Sequence, residues 1–210
     1  MDVLPADERF PDCCFVEDPV VLIDETAIVC RLGADSRRGE VEPVKRHFHD
    51  HGYRIVEMTA PAHLDGGDVL QIGTDIFVGI SRRTNCAGFE VIAEVARQHG
   101  CSAFAIEVGA ALHLKTVCSY VGRGVITGLM NLLGEGRSYL DRFQVIRPVE
   151  GEEEAANVSV VSSHVLVPAH CHRAMETLTR DGFKVQPVDV SEFHKAEAGL
   201  TCLTVLGFKR

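Results

Sequence analysis

Apolar and polar positions repeat along this chain in one order: a β-rich run, a short polar or glycine turn, a second β-rich run, a helical stretch and a closing strand. The first hairpin is predicted at 19–23 and 26–30, around the turn Asp24-Glu25. Residues of this kind favour tight turns. Further hairpins are predicted at 69–72 with 76–80, at 117–121 with 125–128, and at 158–161 with 165–167.

Helical spacing follows the hairpins, and a glycine stands where such helices would end. Val41, Val44 and Phe48 precede Gly52 in this way, and glycine is favoured just beyond a helix C-terminus. A third helix at 132–142 is predicted to be weak, because glycines interrupt it. The closing strands are predicted at 53–58, 103–108, 143–149 and 183–188.

A fifth unit opens at 200–206 and stops at Gly207, and residues 1–5 offer little to complete it. One ββαβ unit cannot bury its own apolar face, so a repeat of this length favours a propeller or repeat array. We therefore predict an α/β fold: a five-fold pseudo-symmetric ββαβ propeller with one blade incomplete. Residues 1–210 would form a single domain, with the N-terminal part of the split blade missing.

Polar residues stand at the start of each predicted first strand. If the units are related by rotation, these residues lie at one end of the molecule near its axis, as active-site groups do. They are Glu17 and Asp18, Asp65 and Asp68, His113, Asn157, and Cys202.

This set suits nucleophilic chemistry on a cation. A thiolate can attack while an imidazole moves protons, and a carboxylate such as Asp65 would hold His113 in the useful tautomer. Two buried carboxylates side by side, Glu17 and Asp18, are costly unless a cation offsets them. A planar guanidinium would bind them with paired hydrogen bonds.

Six ordered segments give the chain a close resemblance to the dimethylarginine dimethylaminohydrolase family, from about Leu4 to Phe208. That resemblance implies a five-bladed ββαβ propeller of the pentein type, in agreement with the repeat. The segments are Phe10-Pro11-Asp12 with Phe15-Val16-Glu17-Asp18, the stretch 33–40 with Ser36-Arg37-Arg38, Leu64-Asp65-Gly66-Gly67-Asp68, Arg83-Thr84-Asn85, Leu112-His113-Leu114-Lys115, and Thr201-Cys202.

The resemblance also implies an activity, hydrolysis of methylated arginines to citrulline and an amine through a covalent thiouronium intermediate. Cys202 would be the nucleophile, His113 the proton donor and later the base for water, and Asp65 the residue that orients His113. No metal or organic cofactor is implied. The implied substrate contacts are Glu17 and Asp18 with the guanidinium, Asp12 with the α-amino group, Arg37 and Arg83 with the α-carboxylate, and the main chain at Ala196.

Two departures from the family pattern bear on activity. Glu197 stands where the family usually has Asp, close to the nucleophile. The N-terminal region that supplies the rest of the split blade and a loop over the substrate is not found.

Three alternatives remain open from the residues. An arginine deiminase would release ammonia from unmethylated arginine, but that family typically inserts a helical domain that is not found here. A deiminase of decarboxylated arginine would have little use for Arg37 and Arg83. A non-catalytic relative would bind methylarginine or a protein partner without turnover.

Two histidine-rich stretches, 47–51 and 170–172, raise the question of a metal. On a helix His47 and His51 share a face at i and i+4. Because the sequence places no third or fourth ligand near either stretch, we expect no metal there.

The amino-acid composition indicates which classes of partner the protein can bind. Thirty acidic residues against 21 Lys and Arg give a net charge of -9, which argues against nucleic acid or anionic membranes and suits a small cationic substrate. We find no basic leader and no apolar run of about 18 residues. Eight cysteines in a chain that is 46% hydrophobic are expected to be free thiols in the cytoplasm. A homodimer is suggested by the resemblance alone.

Overall fold

The computed structural model describes residues 2–207, and four three-stranded sheets of one pattern dominate that part of the chain. In each sheet the first two strands form an antiparallel hairpin, and the third pairs parallel with the second. We call each sheet with its connections a blade, numbered one to four in chain order; the predicted hairpins and closing strands are confirmed. Three to a blade, the strands are β1 (Val20–Ile23), β2 (Thr26–Val29), β3 (Arg54–Glu57), β4 (Val69–Ile72), β5 (Asp75–Ile80), β6 (Ser102–Glu107), β7 (Cys118–Gly122), β8 (Val125–Gly128), β9 (Gln144–Ile146), β10 (Ser159–Val161), β11 (His164–Pro168) and β12 (Lys184–Val188).

Helices connect the second and third strands, because a parallel partner requires a crossover. Blade three differs: its crossover forms the 3-10 helices Met130–Leu132 and Arg137–Leu140. Gly136 there has a φ of +83°, which an α-helix cannot include, so the weak predicted helix becomes two short turns. No helix within residues 2–207 is long and apolar enough to cross a bilayer. The α-helices are α1 (Val41–Asp50), α2 (Cys86–Gln98), α3 (Leu114–Val117), α4 (His172–Arg180) and α5 (Ser191–His194).

Three of the four apolar clusters among the described residues each join two neighbouring blades. Ile28 of blade one and Ile92 of blade two belong to one cluster. Successive strand residues face opposite sides of a sheet, so in blade three Ile126 joins the cluster shared with blade two and Val125 the cluster shared with blade four. Each blade therefore depends on its neighbours for burial, as the propeller prediction requires.

The last segment, 200–207, corrects one expectation, since it forms no strand. Thr201–Leu203 is a 3-10 helix, and Thr204 to Gly207 has no regular structure. A strand needs a ladder partner for its backbone groups, but here the Thr201 N–H donates to the side chain of Asn157 at 3.0 Å. Val205 packs against the apolar cluster of blade one, so the segment runs from blade four to blade one.

Candidate active site

The starts of the blades bring their polar side chains together, and most of these side chains are buried. Asp65 is held by groups from three parts of the chain. Its carboxylate accepts from the Gly33 N–H at 2.8 Å, contacts His113 Nε2 at 3.1 Å and accepts from Arg83 Nη1 at 3.2 Å. These partners outweigh the burial that would raise the pKa of Asp65, so its pKa is lowered and it remains a carboxylate facing the imidazole.

His113 lies between this carboxylate and two others. Burial lowers its pKa, but the hydrogen bond with Asp65 and the charges of Asp18 and Asp68 outweigh burial and raise it. The ring packs so closely on Gly67 that a Cβ there would lie 2.8 Å from Nδ1. The site therefore holds an imidazole whose charged form is favoured, as a proton donor requires.

Asp68 has a role that the sequence analysis did not assign. Its two oxygens accept from the hydroxyls of Ser81 and Thr84, both at 2.7 Å, and from the Leu114 N–H at 2.8 Å. Burial nonetheless raises its pKa to about 6. Through these bonds Asp68 fixes the backbone directly after His113.

Glu17 has an internal cation as its partner. Lys115 Nζ donates to its carboxylate at 2.5 Å, and the Thr201 hydroxyl donates at 2.8 Å. Burial raises the pKa of Glu17, and Lys115 opposes that rise. Lys115 belongs to the motif around His113, but its role here depends on the short helix α3, which the sequence did not indicate.

Asp18 also has a partner within the protein. Arg37 Nη1 donates to it at 2.6 Å, and the Gly67 N–H donates at 3.1 Å. The other guanidinium nitrogens of Arg37 bind Glu40, at 2.9 and 3.0 Å. The expectation that the acidic pair requires a cationic ligand is therefore corrected, because Lys115 and Arg37 already offset the two charges.

Cys202 stands beside the acidic pair. Burial, followed by the charge of Glu17, raises the pKa of its thiol to about 11, and Asp18 adds to the rise. Its carbonyl accepts from the Glu17 N–H at 3.2 Å. The charge of Asp18 acts on both Cys202 and His113, so these residues, distant in the sequence, share one electrostatic environment.

The remaining predicted contacts lie around this group with varied exposure. Asp12 is half-buried, and its charge acts on Glu40. The side chain of Arg83 is 26% exposed, so it can reach solvent. Ala196 is exposed after α5, and its N–H donates to the Phe193 carbonyl at 2.9 Å. Glu197 beside it is exposed and has a φ of +58°.

A cavity of about 510 Å³ follows the inner strands of the blades. Glu17, Lys115 and Thr201 contribute to its wall, together with apolar residues of the first strands such as Val20 and Val160. Neither Cys202 nor His113 lines it, so the acid–histidine–cysteine group borders the cavity through the Glu17–Lys115 pair.

Comparisons with known proteins show which family this chain is similar to. A family model described as arginine deiminase matches residues 8–167. The chain is 35% identical over 208 residues to the N(G),N(G)-dimethylarginine dimethylaminohydrolase of Pseudomonas aeruginosa, covering 97% of this chain and 80% of that protein. It is 36% identical over 205 residues to the protein of the same name from Streptomyces coelicolor, covering 98% and 78%.

Solved structures extend the likeness to the fold. A mutant of the Pseudomonas aeruginosa enzyme in complex with citrulline superposes with a TM-score of 0.87 at 34% identity, over 94% of this chain and 77% of that one. The N-terminal domain of ArgZ, bound to a reaction intermediate, gives 0.90 at 20% identity, over 99% and 80%, which supports the pentein fold. Because the sequence matches extend over nearly the whole chain, it belongs to the dimethylarginine dimethylaminohydrolase family of hydrolases, which act on carbon–nitrogen bonds of amidino groups.

Proposed function

We propose that this chain hydrolyses N(ω)-methylated arginines, both asymmetric dimethylarginine and monomethylarginine, to citrulline and dimethylamine or methylamine. One observation carries the proposal: burial and, after it, the charges of Glu17 and Asp18 raise the pKa of the Cys202 thiol, and Asp18 also acts on an imidazole whose protonated form is favoured. A guanidinium bound beside these carboxylates would add positive charge next to the thiol, beyond that of Lys115 and Arg37, and so favour the thiolate. Substrate binding would therefore activate the nucleophile.

In the first step the Cys202 thiol would lose its proton to solvent as the cationic substrate binds, and the thiolate would add to the guanidinium carbon and form an S–C bond. The C–N bond to the methylated nitrogen would then break, and His113 would donate the proton that leaves with the amine. A thiouronium group would remain on Cys202. Asp65, at 3.1 Å from His113, would keep the imidazole oriented.

In the second step His113, now neutral, would take a proton from water as the hydroxide adds to the same carbon. The S–C bond would break and restore the thiolate, and the hydroxyl proton of the product would pass to solvent as citrulline is released. Protonated His113 would then be ready for the next cycle.

The α-amino acid part of the substrate would be bound at the edge of the site. Arg83 has one carboxylate partner and reaches solvent, so it is prepared to receive the α-carboxylate. Arg37 binds two carboxylates and would have to exchange one of them to contribute. Asp12 would receive the α-amino group, and the main chain at Ala196 would complete the contact.

The exposed free thiols indicate the cellular compartment of the protein. All eight cysteines are free, and Cys14 and Cys86 among them are exposed. Exposed free thiols persist in a reducing compartment, so we propose a cytoplasmic protein.

Asymmetric dimethylarginine, monomethylarginine and arginine, each incubated with purified protein and assayed for citrulline and released amine, test the proposal. We expect citrulline from both methylated substrates with wild type, and none above background with Cys202→Ser. Cys86→Ser removes an exposed thiol on α2 and serves as the matched control with unchanged turnover. Rapid quenching and peptide mass spectrometry should show the covalent adduct on the Cys202 peptide.

Other outcomes would overturn the proposal in distinct ways. Citrulline and ammonia from arginine, with no turnover of methylated substrates, would make the chain a deiminase, as the description of its family model allows. Binding of methylarginine without product would make it a non-catalytic relative. If Cys202→Ser turned over substrate as fast as wild type, the Cys202 thiol would not be the nucleophile.

A further inference from the structure

Three ligand-bearing side chains meet at the C-terminal end of α1, away from the acid–histidine–cysteine group. His47 and His51 are one helical turn apart, and their ring centroids are 4.2 Å apart. Asp2 comes from the N-terminal segment. Its Oδ2 lies 3.7 Å from His47 Nε2 and 3.6 Å from His51 Nε2, and one ligand atom from each of the three side chains lies within 4.8 Å of the others. The sequence alone placed no third ligand here.

These separations fit ligands around a shared ion. A direct N–H···O hydrogen bond has its heavy atoms at about 2.7–3.2 Å, and both contacts of Asp2 are longer than that. Two ligands at 2.0–2.1 Å from one tetrahedral zinc are separated by about 3.3 Å. The carboxylate is therefore too far from either ring for a hydrogen bond and close to the distance at which all three would bind one metal.

The tautomer of His51 supports the same conclusion. Its Nδ1 lies 2.7 Å from the carbonyl oxygen of His47. A carbonyl can only accept, so Nδ1 carries a hydrogen, and Nε2, which faces the Asp2 carboxylate, is the ring nitrogen available to a metal. Metal-binding histidines typically donate their other N–H to a carbonyl in this way.

We propose that His47, His51 and Asp2 bind a divalent cation of the zinc class. Two imidazoles and one carboxylate are a suitable ligand set for zinc, and water would complete the coordination. Exposure of the three side chains, 21%, 53% and 62% in that order, gives the ion access from solvent. Because Asp2 and Asp12 share the N-terminal segment, the metal would fasten that segment to α1. This proposal is independent of the proposed function.

Titration calorimetry with zinc chloride, and Co²⁺ absorption spectra, test the site in the full chain. All proteins carry Cys202→Ser, which removes the thiol of the site as a competing ligand. His170→Ala, made separately, accounts for another group of possible ligands, Glu154, His170 and His194. We expect one tetrahedral ion, with affinity lowered more than roughly tenfold by His47→Ala, His51→Ala or Asp2→Asn.

His49→Ala is the matched control. His49 is exposed on the same helix and contacts Asp50, so its removal should leave the affinity unchanged. Zinc should also raise the thermal unfolding midpoint, and His47→Gln, which keeps a polar side chain, should abolish that rise while leaving the midpoint without zinc close to that of the parent. Undiminished binding by a His47→Ala, His51→Ala double variant, loss through His170→Ala instead, or no ion bound at all would overturn the proposal.

Discussion

At the scale of single residues, Glu17 shows how one side chain connects the charge of the site to its geometry. Its carboxylate accepts from Lys115 and Thr201, and its backbone N–H donates to the carbonyl of Cys202. Burial and, after it, the same carboxylate raise the pKa of the Cys202 thiol. Glu17 therefore both positions the segment that carries Cys202 and helps to keep its thiol protonated.

Glu17→Gln should lower the pKa of the Cys202 thiol from its value of about 11. The substitution removes a negative charge and leaves Lys115 unpaired, and both changes favour the thiolate. Thiolate should then form at lower pH, with the alkylation rate at a fixed pH rising roughly tenfold for each unit by which the pKa falls. Iodoacetamide labelling of the Cys202 peptide across a pH series, followed by mass spectrometry, measures this shift.

Glu25→Gln provides the comparison, since Glu25 is exposed in the first hairpin turn. An identical labelling profile for Glu17→Gln and Glu25→Gln would show that the acidic pair does not control the thiol. Turnover of methylarginine should fall in Glu17→Gln, because the guanidinium loses one of its carboxylates.

The candidate residues were predictable from motifs, but their partners were not. Glu17 and Asp18 stand together in the sequence, whereas Lys115 and Arg37 reach them only through the fold. A spacing of 98 residues separates Glu17 from Lys115, and no periodicity spans such a distance. The sequence therefore could not predict that Lys115 and Arg37 offset the charges of these buried carboxylates.

At the scale of elements, the start of α2 joins stability to the site. Asn85 is its N-cap: Oδ1 accepts from the N–H groups of Gly88 at 2.8 Å and His63 at 3.2 Å, and Nδ2 donates to the Pro61 carbonyl at 2.9 Å. Thr84, directly before it, donates to Asp68. The cap therefore fixes the helix and the residue that supports the site.

Asn85→Ala should lower the free energy of unfolding by about 1–2 kcal/mol, the usual cost of losing an N-cap. Urea denaturation followed by circular dichroism measures it. Asn131→Ala is the matched control, because Asn131 is exposed in the short 3-10 helix of blade three, and its loss should change little. A cost near zero for both variants would contradict the assigned cap.

Hairpins were predictable because each strand and its partner are neighbours in the chain and their apolar positions alternate. The structure of the final segment was not predictable, because residues 200–206 have high strand propensity but form a strand only where a partner strand is available. Its backbone bonds with a distant side chain instead. Local sequence patterns thus predicted the four blades, whereas a non-local contact determines the structure of the final segment, 200–207.

At the scale of the whole molecule, the polar residues at the blade starts form a chain of connections around the ring. Asp18 accepts from Gly67 of blade two, and Asp68 of blade two accepts from Leu114 before blade three. Residues before blade three are tied to blade four by Asn157, which donates to the Lys115 carbonyl. These positions were interpreted as an active site alone, but several of them also hold the blades together.

Asn157 extends these connections to the residue before Cys202, the proposed nucleophile, because its side chain accepts from the Thr201 N–H at 3.0 Å and donates to the Thr201 hydroxyl at 3.1 Å. Asn157→Ala would leave the buried Thr201 N–H without a partner, at a cost of about 1–3 kcal/mol, and would remove the bond to the part-buried Lys115 carbonyl. We expect the segment carrying Cys202 to open locally, so that iodoacetamide labels Cys202 faster while labelling of the exposed Cys14 is unchanged. The decrease in kcat should be larger than the change in KM, because Cys202 has moved and the substrate-binding residues have not. Equal acceleration at both cysteines would instead indicate general unfolding, and an unchanged rate at Cys202 would show that Asn157 does not position the nucleophile.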